Sequence, residues 1–196
     1  VVQHHGRLTL EQRQRLLKQR PATIWLTGLS GAGKSTLAFE LEYSLHTLGF
    51  SSFVLDGDNL RHKLSSDLGF SPAERTENIR RTAEVATLMN AAGLIVFTAL
   101  ISPHRSDRSL ARSIIGESMF IEVHVNTPLD VCEERDPKGL YKKARTGLIP
   151  NFTGISAPYE PPLSPDFCID TGKLNLRDAA TVVLNFLRQR DLLGKC

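Results

Sequence analysis

Cysteine is scarce in this chain of 196 residues: three are present, Cys132, Cys168 and Cys196, an odd number with no C-x-x-C spacing. That argues against a disulfide framework or a cysteine zinc site and favours a reducing, cytoplasmic compartment. Neither sign of charge prevails, with 24 Lys+Arg against 21 Asp+Glu and a formal net charge of +3. No blanket surface for nucleic acid or membrane is indicated. The longest apolar stretch, Ala91 to Ile101, is too short to span a bilayer and is interrupted by Gly93 and Thr98. The amino terminus, VVQHHGRLTLEQRQRLLKQR, is polar and has no signal-peptide core. With no initial Met, the chain is expected to be trimmed or cut from a longer polypeptide. There is no internal repeat and no low-complexity tract. The six histidines, at 4, 5, 46, 62, 104 and 124, have no ligand spacing and read as structural or surface residues. What remains is ordinary for one globular domain: 41% hydrophobic and 23% charged residues.

Strand and helix patterns alternate along the chain. Leu8 to Arg20 reads as a polar helix ending at Pro21, and residues 1–20 as an extension of the domain that follows. Thr23 to Thr27 is a short apolar strand, followed by a Gly-rich turn and a helix from Lys34 to Leu48. Further strands are expected at Ser52–Leu55, Leu94–Leu100, Phe120–Val125 and Phe167–Asp170. Helices are expected at 72–92, from Ser106, after Thr127-Pro128, and at 175–190, with Pro72 at a favourable first helical position. This alternation predicts an α/β fold, a mostly parallel five-stranded sheet covered on both faces. Asp136 to Pro165 breaks the pattern, being rich in proline, glycine and cations. A long irregular stretch in a compact domain is usually a lid or binding loop.

Gly28-Leu29-Ser30-Gly31-Ala32-Gly33-Lys34-Ser35 matches G-x-x-x-x-G-K-[ST] between a predicted strand and a predicted helix. Glycines let the backbone wrap a polyphosphate with successive N–H groups turned inward, and the helix adds its positive dipole end. Lys34 would neutralise the outer phosphates and the Ser35 hydroxyl would join a Mg²⁺ shell. The loop therefore predicts ATP or GTP binding and a P-loop, three-layer α/β/α fold. The chain contains no Asn-Lys pair, so the N-K-x-D guanine reader of a regulatory GTPase is missing. Asp136-Pro137-Lys138-Gly139 has D-x-x-G spacing but follows a helix rather than a strand. A small P-loop chain with a cationic lid reads as a small-molecule kinase, because closure over the transferring group excludes water. The second strand delivers Asp56, Asp58, Asn59 and Arg61 to the same end of the sheet. Two carboxylates there suit Mg²⁺ organisation or acceptance of a hydroxyl proton, while one of them could simply cap the next helix.

Six segments together resemble the adenylylsulfate kinase (APS kinase) family: GLSGAGKST at 28–36, LDGDNLRH at 55–62, DLGFSPAERTENIRR at 67–81, ISPHRSDR at 101–108, DPKGLYKKAR at 136–145 and FTGI at 152–155. The likeness runs from about residue 21 to the last helix, so 21–196 is read as the kinase domain, with a lid at about 136–165. Leu148-Ile149-Pro150-Asn151 departs from the acidic-basic stretch more usual before FTGI, with consequences for the lid. The resemblance implies transfer of the ATP γ-phosphoryl group to the ribose 3′-hydroxyl of adenylyl sulfate, with Mg²⁺, in sulfate activation. It also implies a homodimer and, in a longer chain, fusion to or association with an ATP sulfurylase. By the same likeness the P-loop through Thr36 holds ATP. Asp58, Asn59, Arg61, Arg75 and Asn78 face the acceptor, Phe70 and Phe152 sandwich its adenine, Ile101 and Ser102 line it, Lys138 reaches across from the lid, and Arg108 lies over the ATP adenine. The residue types fit such an acceptor, since arginine forks match phosphate and sulfate oxygens and aromatic faces stack on purines.

Direct in-line transfer is expected, with Lys34 and Asp56 as catalytic groups and Ser35 and Asp56 at the metal. Ser102 is the third candidate catalytic residue, described in this family as a phosphoserine. Covalent catalysis needs a base beside that hydroxyl, and only His104 is close in sequence. A lining role for Ser102 is the better expectation. Another P-loop kinase, acting on a nucleoside monophosphate or sugar acid, and a non-catalytic nucleotide-binding module stand as alternatives.

Overall fold

The computed structural model describes residues 2, 4 and 6–194; His5 and Cys196 lie outside them. Five strands form one sheet: β1 (Thr23–Thr27), β2 (Ser52–Asp56), β3 (Ile95–Ala99), β4 (Phe120–Val125) and β5 (Phe167–Ile169). Their spatial order is β2-β3-β1-β4-β5 and every pairing is parallel. Among the described residues there are eight helices: α1 (Leu10–Leu17), α2 (Lys34–Thr47), α3 (Gly57–Arg61), α4 (Pro72–Ala91), α5 (Arg105–Ile115), α6 (Leu129–Arg135), α7 (Leu140–Arg145) and α8 (Leu176–Gln189).

Strand periodicity divides the core into two layers. Ile24, Leu26, Phe97 and Val123 point to the face that also buries Leu37, Leu41 and Val183 from α2 and α8. Trp25, Val96 and Phe120 point to the other face, against Ile79, Ala83 and Ala86 of α4 and Ala111 of α5. Alternate side chains of a strand face opposite sides, so β1, central and buried throughout, feeds both layers. Crossovers run through covering helices, as parallel pairing requires.

Most helix limits follow local chemistry. Ser71 caps α4 in a reciprocal box with Glu74, with Pro72 in its first turn. Asn175 caps α8. The first helix is shorter than expected. It opens with a Thr9–Gln12 capping box and ends at Leu17, because Lys18 turns left-handed (φ 52°). Gln19 is then buried, its amide donating to Ser51 O at 2.7 Å and Gly93 O at 2.8 Å. The short helices α3 and α7 were not anticipated as separate elements. Among the described residues no helix is long and apolar enough to cross a membrane.

Candidate active site

The end of β1 runs straight into the Gly-rich loop. Gly28, Gly31 and Gly33 all have positive φ, at 153°, 73° and 88°. A Cβ at Gly28 would lie 2.5 Å from Val125 O, so no other residue fits there. Gly33 caps α2, whose first residue is Lys34. Lys34 is buried, and Nζ donates to Gly28 O at 3.0 Å and Leu29 O at 2.6 Å. Burial pulls its pKa down to about 8. A buried cation held by two backbone carbonyls, with no carboxylate paired to it among the described residues, is suited to a polyphosphate. The loop is propped from outside: Thr127 and Thr171 hydroxyls donate to Ala32 O, and Tyr141 Oη donates to Ser30 O at 2.9 Å.

Beside the loop, Asp56 at the end of β2 has two duties. Its Oδ1 accepts from the backbone N–H groups of Asp58 and Asn59 and caps α3. Its Oδ2 accepts from Ser35 Oγ at 2.6 Å. The capping reading of this aspartate therefore holds for one oxygen, while the other is engaged by Ser35. A hydroxyl and a carboxylate converging next to a phosphate cradle make a hard oxygen donor pair of the kind Mg²⁺ takes together with substrate phosphates. No cluster of three or more His, Cys, Asp or Glu ligands occurs among the described residues, so these residues do not form an all-protein metal cage.

Opposite the loop, across a cavity of about 1160 Å³, stands a wall of cations and aromatics. Asp58, Arg61, Phe70, Arg75, Asn78, Ile101, Ser102, Lys138 and Phe152 all line this cavity together with Ser30, Gly31 and the stretch 33–36. Phe70 is 67% exposed, with Arg61 Cζ 4.3 Å from its ring centre. Phe152 is buried edge-on to Tyr141. Burial first, and then the nearby Arg75, lower the pKa of Arg61, while Glu74 and Asp58 oppose the shift. Asn78 is 4% exposed, and its Oδ1 has no protein partner. An acceptor atom buried without a donor is costly unless a ligand completes it.

Segment 136–165 closes over this wall. Lys138 Nζ pairs with Asp58 Oδ2. Arg75 donates to Phe70 O at 2.8 Å, Thr153 Oγ1 at 3.0 Å and Asn151 O at 3.0 Å. Ile149 and Pro150, from the stretch that departs from the family pattern, line the cavity.

Two expectations need correction, and the lesser of the two roles considered for Ser102, the nucleophile, finds no support. Arg108 does not reach the cavity: it is 3% exposed and its guanidinium is taken up by Glu122 and two backbone carbonyls. Asn59 faces solvent on α3 and takes no part in the cavity lining. Ser102 lines the cavity, but its Oγ accepts from Trp25 Nε1 at 3.1 Å, and His104 instead faces Glu160 at 3.7 Å. No base is placed to activate the Ser102 hydroxyl, so the geometry supports lining rather than nucleophilic attack. Gly28, Leu29 and Ala32 are not among the residues that line the cavity. Residues the motifs did not reveal include Arg135 and Thr171 at the loop mouth, where Arg135 donates to Thr171 O at 2.6 Å. Thr171 lies just past the carboxyl end of β5, a position that could have marked it.

A phosphate loop at the end of a central parallel strand, a hydroxyl–carboxylate pair beside it and a cationic-aromatic wall facing it together define a P-loop kinase of a small molecule. The aligned relatives narrow this class. The family model for adenylylsulphate kinase matches residues 20–170. Adenylyl-sulfate kinase of Vibrio parahaemolyticus is 53% identical over 194 residues, covering 99% of this chain and 95% of its own. That of Citrobacter koseri is 55% identical over 193 residues, covering 98% and 96%. The structure of the Mycobacterium tuberculosis APS kinase in complex with AMPPNP and APS superposes with a TM-score of 0.84 at 48% identity, covering 87% of this chain and 99% of that one. Shikimate kinase from Aquifex aeolicus, at 16% identity and a TM-score of 0.53, shares the fold alone. The chain belongs to the adenylylsulphate kinase family and is an enzyme of the kinase class.

Proposed function

We propose that this enzyme transfers the γ-phosphoryl group of ATP to the 3′-hydroxyl of adenylyl sulfate, giving 3′-phosphoadenylyl sulfate and ADP. The observation that carries the reading is the single cavity in which the loop at 28–36 faces Arg61, Phe70, Arg75, Asn78 and Phe152. The acceptor is an anion carrying a purine, and this wall supplies guanidinium forks, stacking faces and an unpartnered amide. The Mycobacterium tuberculosis relative holds an ATP analogue and APS together. A nucleoside monophosphate or sugar acid as acceptor has less support, since the kinases of other substrates match at under 25% identity. A non-catalytic module is disfavoured by the intact Lys34 and Ser35–Asp56 arrangement.

Lys34 and the loop amides hold the outer phosphates and gather their charge. Asp56, fixed by three hydrogen bonds, orients the acceptor hydroxyl and takes its proton as the new P–O bond forms. Ser35 and Asp56 would hold Mg²⁺, which supplies charge neutralisation between the phosphates. Ile101 and Ser102 line the acceptor. Segment 136–165 acts as a lid whose cations, Lys138 foremost, exclude water and screen charge. Catalysis is then mainly positioning and electrostatics, as phosphoryl transfer demands.

The reading includes a cytoplasmic enzyme that self-associates as a homodimer. A relative at 33% identity, from Thiobacillus denitrificans, is described as hexameric. Phe39, Tyr43 and Phe53 leave apolar surface exposed on α2 and the edge strand β2. The bacterial relatives are covered over 95–96% of their length by this chain, and they give no support to a sulfurylase fusion. ADP release measured across a panel of acceptors tests the reaction: activity with adenylyl sulfate is expected, and activity with another acceptor alone would overturn it.

A further inference from the structure

Arg108 lies away from the cavity, and its surroundings give it another duty. Its three kinds of nitrogen reach three separate parts of the chain. Nε donates to Glu122 Oε1 on β4 at 2.7 Å, one terminal nitrogen to Ser102 O at 2.7 Å, and the other to Glu160 O at 2.7 Å. Ser102 sits in the turn after β3 with φ 39°, a left-handed conformation that a serine keeps only when its surroundings over-determine it. Glu160 belongs to the returning end of the segment read as the lid. More contacts sew these two pieces together. Glu160 N donates to Pro103 O at 2.9 Å, Arg105 N to Glu160 Oε2 at 2.8 Å and Arg105 Nε to Pro161 O at 2.8 Å. Thr27 Oγ1 is 2.8 Å from Ile101 O and 3.0 Å from Tyr159 Oη, and the Arg108 guanidinium lies 5.9 Å from the Tyr159 ring.

We propose that Arg108 is a positioning residue for the acceptor: one buried guanidinium fixes the strained turn at Ile101–Ser102 and fastens the returning end of the lid to it. The inference rests on reading the cavity wall as the acceptor site. Ile101 and Ser102 line the cavity and Arg108 does not, so Arg108 acts through them. Pro103 has no N–H to give, and the carbonyls of Ile101, Ser102 and Pro103 all accept from outside the turn. A guanidinium can bind a carboxylate and two carbonyls at once in a fixed plane, whereas a lysine ammonium on a flexible stem cannot reproduce that fork. Glu122, itself mostly buried beside Arg108, keeps the guanidinium in orientation.

The test compares wild type with Arg108→Lys, varying ATP and adenylyl sulfate separately in the ADP-release assay. Hydrogen exchange is followed by mass spectrometry at 28–36, 100–106 and 157–162. The expected result is a KM for adenylyl sulfate raised about ten-fold, a KM for ATP within about two-fold of wild type, and faster exchange at 100–106 and 157–162 but not at 28–36. Tyr159→Phe, which removes one hydroxyl of the same seam, should move the acceptor KM the same way by a smaller factor. Unchanged values for both substrates, or a parallel loss for both tracking a lowered Tm, would overturn the proposal. Where Arg108→Lys fails to fold, Tyr159→Phe and Glu122→Gln carry the same comparison. Wild type acting only on a different acceptor would overturn the functional reading instead. The same KM split, measured with that acceptor, would then decide the role of Arg108.

Discussion

The two walls of the cavity are built by different means. The donor wall comes from one local stretch, of which Ser30, Gly31 and residues 33–36 line the cavity, and backbone with its glycine conformations sets the shape. The acceptor wall is drawn from the α3 region, α4, the turn after β3 and segment 136–165, and side chains form most of its surface. A local wall depends on few neighbours. A composite wall depends on how segments far apart in sequence are docked, and it can change specificity without disturbing phosphate binding.

The largest effects should come from the donor wall and from Asp56 beside it. Lys34→Ala is expected to lower kcat by about 10³-fold, the scale of losing a preorganised charge at a reacting centre. Its Tm should hold or rise, because a buried ammonium is removed; a collapse in Tm would recast Lys34 as structural. Asp56→Asn is expected to cost about 10²-fold or more in kcat, with little change in either KM. Normal turnover there would remove the role assigned to Asp56.

Effects on the acceptor wall should be smaller and selective. Asn78→Ala is expected to raise the KM for adenylyl sulfate by about ten-fold or more, the loss of one buried hydrogen bond, while ATP is bound as before. An equal shift for both substrates would break the division between the walls. Lys138→Ala should cost a few-fold in the acceptor step and less than about 1 kcal/mol of stability, since its pair with Asp58 is exposed. Thermal unfolding and steady-state kinetics on one preparation would show both.

The finest test is protonic. The pKa of Lys34 falls from 10.5 unfolded to about 8 folded. Between these values the unfolded chain binds more protons, so the destabilisation from burying the charge is full below about pH 8 and fades as pH rises through the window. A polyphosphate beside Lys34 should raise its pKa again. ATP binding near pH 8 should therefore take up a fraction of a proton, measurable by calorimetry in two buffers of different ionisation enthalpy. No uptake would mean that the phosphates do not reach Lys34.

How much was legible in the sequence follows the same division. The bounds of β1 and β4 coincide with expectation, and α2 ends one residue early, because strand alternation and a Gly49 stop are local signals. The phosphate loop was legible for the same reason. Asp56 was legible as a partner of Ser35 at a metal or as a helix cap, but not as both at once, nor was the direct hydrogen bond between positions 21 apart. Arg108 was misplaced, because nothing in ISPHRSDR reveals that Glu122 and Glu160 will meet it. The early end of α1 was hidden likewise, as it is set by the fit of Gln19 between Ser51 and Gly93.

Sequence by itself determined the alternating elements, the glycine-shaped loop and the set of charged and aromatic groups available, since these depend on dihedral preferences, periodicity and residue chemistry within a few positions. Tertiary structure alone decided the strand order, the union of four segments into the acceptor wall, the unpartnered Asn78 amide and the burial of Arg108. Those depend on which surfaces meet when the crossovers pack, and no local pattern encodes that meeting.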